Sequence, residues 1–241
     1  MISKFRTMAL AASSILMMGA AAQAADLYTP APAPMPAYTG GWYFSAFGGA
    51  NWLNDTSFSI TGAMVDNEYD TGFVAGGAIG YDFGQAMGPL GLRLEAEVSY
   101  RSNDVDSHTV TVIGAGPGTF PSGVGSTTAL AGMGNVLFDL NTGSPFTVYG
   151  GGGLGVANID FDGHATGPDA ASVMNDDDTV FAWQLIAGTG YEISPNMVLD
   201  VQYRYFNAGD VSLTSTAAGG SVSSSTDYES HAVVGGIRFK F

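Results

Sequence analysis

Cysteine is absent from the 241 residues, which excludes disulfides, thiolate chemistry and cysteine-ligated zinc or iron–sulfur sites in one step. Basic residues are scarce: 7 Lys+Arg stand against 22 Asp+Glu, a formal charge of −15. Phosphate recognition needs clustered Lys/Arg, and no such cluster occurs anywhere in the chain, so a nucleic-acid partner is excluded. Charge of either sign is low, at 12%, against about 25% in soluble domains. After the amino-terminal segment no run approaches ~18 uninterrupted apolar residues, so no helical membrane span is expected. What is abundant is glycine, 35 residues, beside an ordinary 46% of hydrophobic residues. Much glycine, little charge and an average apolar share suggest that the solvent for part of this surface is not water.

The first 24 residues have the layout of a secretory signal peptide. Lys4 and Arg6 precede an apolar stretch from Met8 to Ala22, and Ala22-Gln23-Ala24 places small residues at the two positions a signal peptidase reads. The stretch is shorter than the ~20 residues of a helical span. Residues 1–24 are therefore expected to be removed, and intact-mass measurement of the purified protein is expected to place its first residue at Ala25. Retention of residues 1–24 in the membrane fraction would contradict that reading. Residues 25–41 follow as a periplasmic tether, in which Pro30, Pro32, Pro34 and Pro36 alternate with Ala and Met and favour an extended, polyproline-like chain.

From residue 42 onward the dominant pattern has period two. In 92–102, Leu92, Leu94, Ala96, Val98 and Tyr100 share one face, and Arg93, Glu95, Glu97, Ser99 and Arg101 share the other; helical spacing would mix the two sets. Leu199, Val201, Tyr203 and Tyr205 oppose Asp200, Gln202 and Arg204, and Ile237, Phe239 and Phe241 oppose Arg238 and Lys240. The same alternation predicts strands over 42–52, 72–83, 92–102, 128–139, 146–157, 180–193, 197–207 and 229–241. Long connections (53–71, 103–127, 158–179, 208–228) alternate with short ones, and the short ones carry turn chemistry: Gly88-Pro89, Asn141-Thr142-Gly143-Ser144-Pro145 and Ser194-Pro195-Asn196. The expected architecture is all-β, an eight-stranded antiparallel up-and-down barrel over 42–241 with its long loops at one end.

A soluble sandwich or lipocalin-like barrel gives similar alternation, and three features favour the transmembrane version. Apolar-face aromatics gather near both strand ends, as bilayer interfaces select: Trp52, Phe73, Tyr100, Phe181, Trp183 and Tyr205 toward the long loops, and Tyr81, Phe83, Phe138, Phe146, Tyr191, Phe239 and Phe241 toward the short turns. The opposite face combines small residues with charges of both signs, too polar for a soluble core. The signal peptide directs the chain out of the cytoplasm.

The Trp42-Tyr43-Phe44 start after a Pro/Ala tether, the four long loops and the ending Ile237-Arg238-Phe239-Lys240-Phe241 resemble the small eight-stranded outer-membrane proteins of alphaproteobacteria, surface-antigen relatives of the OmpA-type transmembrane barrel. The resemblance covers about 42–241. It implies residence in the outer membrane of a Gram-negative bacterium, contact with its lipid and lipopolysaccharide, and a barrel-assembly signal at Phe239 and Phe241 read by the assembly machinery. In one departure from full OmpA proteins nothing follows Phe241 in this sequence, so their peptidoglycan-binding domain is not expected and anchoring to the cell wall is not implied.

Eleven charges take the inward parity: Asp82, Arg93, Glu95, Glu97, Arg101, Asp139, Glu192, Asp200, Arg204, Arg238 and Lys240. Glu229 alone is out of phase. An eight-stranded lumen is filled by side chains, so these charges are expected to form a structural network, with a narrow gated ion path as the alternative. The long connections hold fourteen acids (Asp55, Asp66, Glu68, Asp70, Asp104, Asp106, Asp160, Asp162, Asp169, Asp176, Asp177, Asp178, Asp210 and Asp227) and no Lys or Arg, a solvated field that attracts cations. Neither Asp160-Phe161-Asp162-Gly163 nor the Asp176–Asp178 triplet fits a calcium loop, and His108 and His164 are too isolated to define a metal site. No metal or cofactor is expected. Catalysis is not expected either, because Ser230 and His231 fall on opposite faces and no histidine stands beside a nucleophile on one face. The glycine runs Gly150–Gly153 and Gly76-Gly77 lie inside strands and lack the Lys-Ser/Thr and helix of a phosphate loop. The expected work is structural and surface-exposed, supporting the envelope and presenting loops to an unidentified partner; a low-conductance, cation-preferring channel is the alternative.

Overall fold

The computed structural model describes residues 40–54, 56–60, 63–85, 89–112, 116–120, 125–165, 173–217 and 220–241. The segments expected to be a signal peptide and a tether, residues 1–24 and nearly all of 25–41, lie outside the described residues. The chain runs β1 (Gly41–Leu53), β2 (Thr56–Ile60), β3 (Ala63–Tyr69), β4 (Gly72–Asp82), β5 (Leu90–Val112), β6 (Gly116–Phe120), β7 (Ser126–Asn141), β8 (Phe146–Ala165), β9 (Val173–Ser194), β10 (Met197–Ala217) and β11 (Gly220–Lys240). Eight of these strands make a closed antiparallel barrel, with the circular order β1-β4-β5-β7-β8-β9-β10-β11 and β11 returning to β1. Closure leaves the barrel wall without a free edge. The remaining three pair above the wall, β2 with β3 and both β3 and β6 with the upper part of β5.

Tight turns join β7 to β8 and β9 to β10 at the periplasmic end. Gly143 adopts φ 73°, the left-handed region that favours glycine, and the Thr142 and Ser144 hydroxyls hydrogen-bond to each other at 2.7 Å. The ring is sealed where its two ends meet: the Phe241 amide donates to the Trp42 carbonyl at 3.0 Å, and Phe44 stacks on Phe239 with centroids 5.0 Å apart.

The strands at the long-loop end run further than the alternation suggested. Strand β5 continues to Val112, β8 to Ala165, β9 starts at Val173, and β10 and β11 extend to Ala217 and back to Gly220. Acids such as Asp104, Asp106, Asp160 and Asp162 read as loop markers in sequence. They sit in strands and point outward, where the wall has risen beyond the lipid and its outer face meets water. The residues that alternate with them, Val105, Ile159 and Phe161, point inward and are buried, so the alternation reverses its sense, polar outside and apolar inside, while the hydrogen-bonded ladder continues.

Within the bilayer the outward set is apolar: Leu94, Val98, Leu130, Leu154, Val156, Leu185, Leu199 and Val201 are all exposed, Leu154 by 63%. A continuous apolar belt of this kind is tolerated only against lipid. It is bordered by aromatic pairs at both ends. Trp42–Tyr81 and Phe146–Tyr191 (centroids 5.3 and 4.7 Å) lie below, and Phe73–Tyr100 and Trp183–Tyr205 (6.0 and 5.2 Å) above.

Candidate functional site

Alternation delivers one side chain in two to the lumen, and strand register then sets which of them share a level. Nearest the periplasm, Arg93 projects from β5 toward Asp139 of β7. Its Nε and Nη2 donate to the two Asp139 carboxylate oxygens at 2.6 and 2.9 Å, and Nη1 reaches Glu95 Oε1 at 3.3 Å. The Tyr43 hydroxyl donates to the same Glu95 oxygen at 2.6 Å. Arg238 pairs with Asp200 at 2.8 Å, and the Tyr149 hydroxyl donates to Asp200 at 2.8 Å. The Arg93 guanidinium packs against the Tyr149 ring, 4.6 Å from its centroid. Charge-assisted and bidentate bonds of this kind offset the desolvation that burial imposes.

One level higher, Glu97 is surrounded by donors: Arg204 Nη1 at 2.7 Å, Asn135 Nδ2 at 2.8 Å and Gln184 Nε2 at 3.3 Å. Gln202 accepts from Arg204 Nε at 2.8 Å, and the Arg204 guanidinium lies 3.9 Å from the Phe47 ring centroid. At the mouth, Lys240 approaches Glu192 at 3.8 Å. A cavity of about 60 Å³ opens there, lined by Asp82, Asp139, Glu192, Arg238 and Lys240 among others.

Among the described residues, two of the eleven lumen residues do not join an ion pair. Asp82, which flanks the same short turn as Arg93, instead accepts from the Gly84 amide at 2.7 Å and fixes the turn where Gly84 takes φ 66°. Arg93 is held by Asp139 across the β5–β7 pair. Arg101 hydrogen-bonds only to Ser99 Oγ, at 3.0 Å. The out-of-phase Glu229 lies on the outer face near the rim and accepts from Asn54 and Asn207 at 3.0 and 3.2 Å. Nearby, His231 shares a 2.6 Å hydrogen bond with the Tyr203 hydroxyl, on the face opposite Ser230.

The lumen is also less polar than its sequence suggested. Tyr43, Phe47, Tyr149, Phe206 and Tyr228 all point inward and are buried. Above the charged levels Leu53, Ala129, Ala157, Ile159, Phe161, Ala208 and Val211 form a buried apolar cluster. Glycine makes room for the rings. Phe47 lies opposite Gly76 and Tyr149 opposite Gly188 in register, and a Cβ on either glycine would come within 2.6 and 2.8 Å of the ring. Tyr43 uses Gly80 in the same way. An inward aromatic facing a glycine on the next strand was the available sequence signal, but recognising it requires the register.

Of the acids assigned to the long connections, Asp70, Asp104, Asp106, Asp160, Asp162, Asp177 and Asp227 are exposed on the outer rim. Asp55 and Asp169 lie outside the described residues, as do the side chains of Asp66, Glu68, Asp176 and Asp210 and of His108 and His164. Among the described residues no group of three or more acids and histidines is placed to hold a metal ion.

A closed barrel with an apolar outer belt, aromatic borders and a charged, filled interior defines an integral outer-membrane protein. The family model for the outer membrane protein beta-barrel domain matches residues 9–241, and the chain belongs to that family. It is 27% identical over 144 residues to the outer membrane protein PagN of Salmonella typhimurium, covering 59% of this chain and 60% of that protein. It is 29% identical over 175 residues to an outer membrane protein of Gluconacetobacter diazotrophicus, covering 66% of this chain and 43% of that one. Among solved structures, Neisserial surface protein A aligns with TM-score 0.50 and 20% identity over 83% of this chain and 97% of its own. OprG of Pseudomonas aeruginosa gives TM-score 0.50 and 17% identity over the same shares. These likenesses show the barrel fold, and family membership places the protein in the Gram-negative outer membrane.

Proposed function

We propose that the protein is a sealed, structural barrel that stabilises the outer membrane and presents its extracellular rim, rather than a pore or an enzyme. The observation that carries this reading is the occupation of the lumen by side chains: two levels of paired charges below, and the apolar cluster around Ile159 and Phe161 above. An ion crossing such a lumen would have to break buried pairs and then shed its hydration among aliphatic groups, each step costing several kcal/mol. Its lipid contacts are the belt and the aromatic borders. The outward aromatics of the last strand, Phe239 with Phe241, are the proposed recognition signal for barrel assembly.

A low-conductance cation channel is the second reading, favoured by the exposed rim acids, which raise local cation concentration. Planar-bilayer recordings separate the two. Reconstituted protein is expected to conduct weakly or not at all, and any residual current is expected to prefer cations. Raising salt from 0.1 to 1 M should weaken that preference as the screening length falls from ~10 to ~3 Å. Large, stable, weakly selective steps would overturn the structural reading. Protease treatment of intact cells tests rim exposure independently.

A further inference from the structure

One cation of the lumen is left over. Arg93, Arg204, Arg238 and Lys240 each face a carboxylate within 4 Å, whereas Arg101 has none among the described residues. Arg101 is nevertheless 0% exposed. Of its guanidinium nitrogens, Nη1 donates to Ser99 Oγ at 3.0 Å, while Nε and Nη2 have no acceptor. The guanidinium lies flat against Phe206, 3.9 Å from the ring centroid, which satisfies its face and leaves its edge free.

The groups around that edge are also unspent, and most of them are donors. Phe206 meets Tyr228 edge to face at 5.9 Å, and the Tyr228 phenol lies within electrostatic reach of Arg101. The phenol stands within hydrogen-bonding range of Ser230 and Asn51, but in this arrangement no well-aligned bond forms to either. Tyr228 Oη, Ser230 Oγ and Asn51 Oδ1 thus join the Arg101 nitrogens among the buried polar atoms without a partner. The Asn51 amide nitrogen is already committed to Asn103 Oδ1 at 2.6 Å. The cluster therefore offers three N–H bonds on Arg101 Nε and Nη2, which can only donate, two hydroxyls that can donate or accept, and one spare carbonyl oxygen.

We propose that Arg101, Tyr228 and Ser230 form a buried binding site for a small monovalent anion of halide size in the upper lumen. A guanidinium sealed from water without a counter-charge is strongly unfavourable. The nearest carboxylate, Glu97, acts on Arg101 only from a distance, because it is held by Arg204, Asn135 and Gln184. An anion accepts from every free donor and neutralises the charge. A water molecule can accept some of those bonds and return its own hydrogens to the hydroxyl and carbonyl oxygens, but it cannot neutralise the charge. The apolar cluster that begins beside this level, around Phe206 and Tyr228, excludes larger hydrated ions. The site gives the lumen a place to hold an anion, distinct from the cation attraction of the outer rim.

The test uses the full mature chain refolded into detergent micelles in sodium bromide, so that the ion is present while the barrel closes. Crystals from that preparation are expected to show a bromide anomalous peak within hydrogen-bond reach of Arg101 Nε or Nη2 and of the Tyr228 and Ser230 hydroxyls. In solution, the thermal midpoint is expected to be higher in bromide than in gluconate at equal ionic strength, as ligand binding to the folded state requires. Arg101→Met is expected to abolish that difference. Should that variant fail to fold, Tyr228→Phe with Ser230→Ala keeps the guanidinium and removes two donors; it is expected to weaken both the peak and the midpoint difference. Ordinary water density at Arg101 with no anomalous signal would overturn the proposal. So would equal midpoints for the parent protein in the two salts, or an unchanged bromide response in the double variant.

Discussion

Arg93→Met is expected to destabilise the barrel by about 3–5 kcal/mol, the typical cost of removing one partner from a buried ion pair. The side chain is held by Asp139 through two bonds and by Glu95 through a third, and it packs between the Tyr43 and Tyr149 rings. Methionine conserves much of the volume but leaves Asp139 buried with no counter-charge. Asp82, another carboxylate close by, adds repulsion at the same level. Because most of the loss is the orphaned acid rather than the net strength of the pair, Arg93→Met combined with Asp139→Asn is expected to recover a substantial part of it. Urea unfolding of the reconstituted barrel, followed by the gel shift between compact and heat-unfolded forms, measures both variants. A loss below about 1 kcal/mol for Arg93→Met would mean that bulk water reaches this level, and the sealed-lumen reading would then fail.

Val201→Arg is expected to cost about 2–4 kcal/mol in lipid vesicles, the range for a cation on the lipid face near mid-bilayer. Val201 is 57% exposed on the outer face, paired with Thr189 on β9 and Gly235 on β10's other neighbour, β11, so the new guanidinium has no partner and no water. The adjacent residue gives the opposite control. Gln202 points inward and accepts from Arg204 Nε at 2.8 Å, so Gln202→Leu removes one hydrogen bond to a charged group, about 1.5–3 kcal/mol, while leaving the lipid face untouched. The two losses differ in their dependence on lipid. The Val201→Arg loss should shrink when a thinner or more hydrated micelle replaces the bilayer, and the Gln202→Leu loss should not. A harmless Val201→Arg beside a Gln202→Leu that blocks assembly would reverse the assignment of the two faces.

These two neighbours also show how far the sequence could be read. Which of Val201 and Gln202 faces lipid follows from alternation and from the charge set on the other parity, because side-chain direction in a strand is a local property of the backbone. The same logic recovered Leu94 against Arg93 and Glu95, and the outward Glu229. It stopped short at the rim, where Asp104 and Asp160 were assigned to loops although β5 and β8 pass through them. Hydrophobic alternation reports a boundary between two surroundings, and above the bilayer the boundary is reversed: the outer face meets water, and the inner face packs on the apolar cluster around Ile159 and Phe161.

The lumen was legible in composition and not in pairing. By itself the sequence determined the number of barrel strands, their up-and-down order and the outer belt, because each of these is written within single strands or their connecting turns, whereas β2, β3 and β6 fell in segments it marked as connections. Only the tertiary structure decided that Arg93 takes Asp139 rather than Asp82, that Arg204 on β10 crosses to Glu97 on β5, that Phe47 and Tyr149 fill space left by Gly76 and Gly188, and that Arg101 has no acid in contact among the described residues. Those outcomes depend on the stagger between strands and on which residues meet across a closed ring. Both are set by the whole barrel closing at once, and no segment of the chain carries them alone.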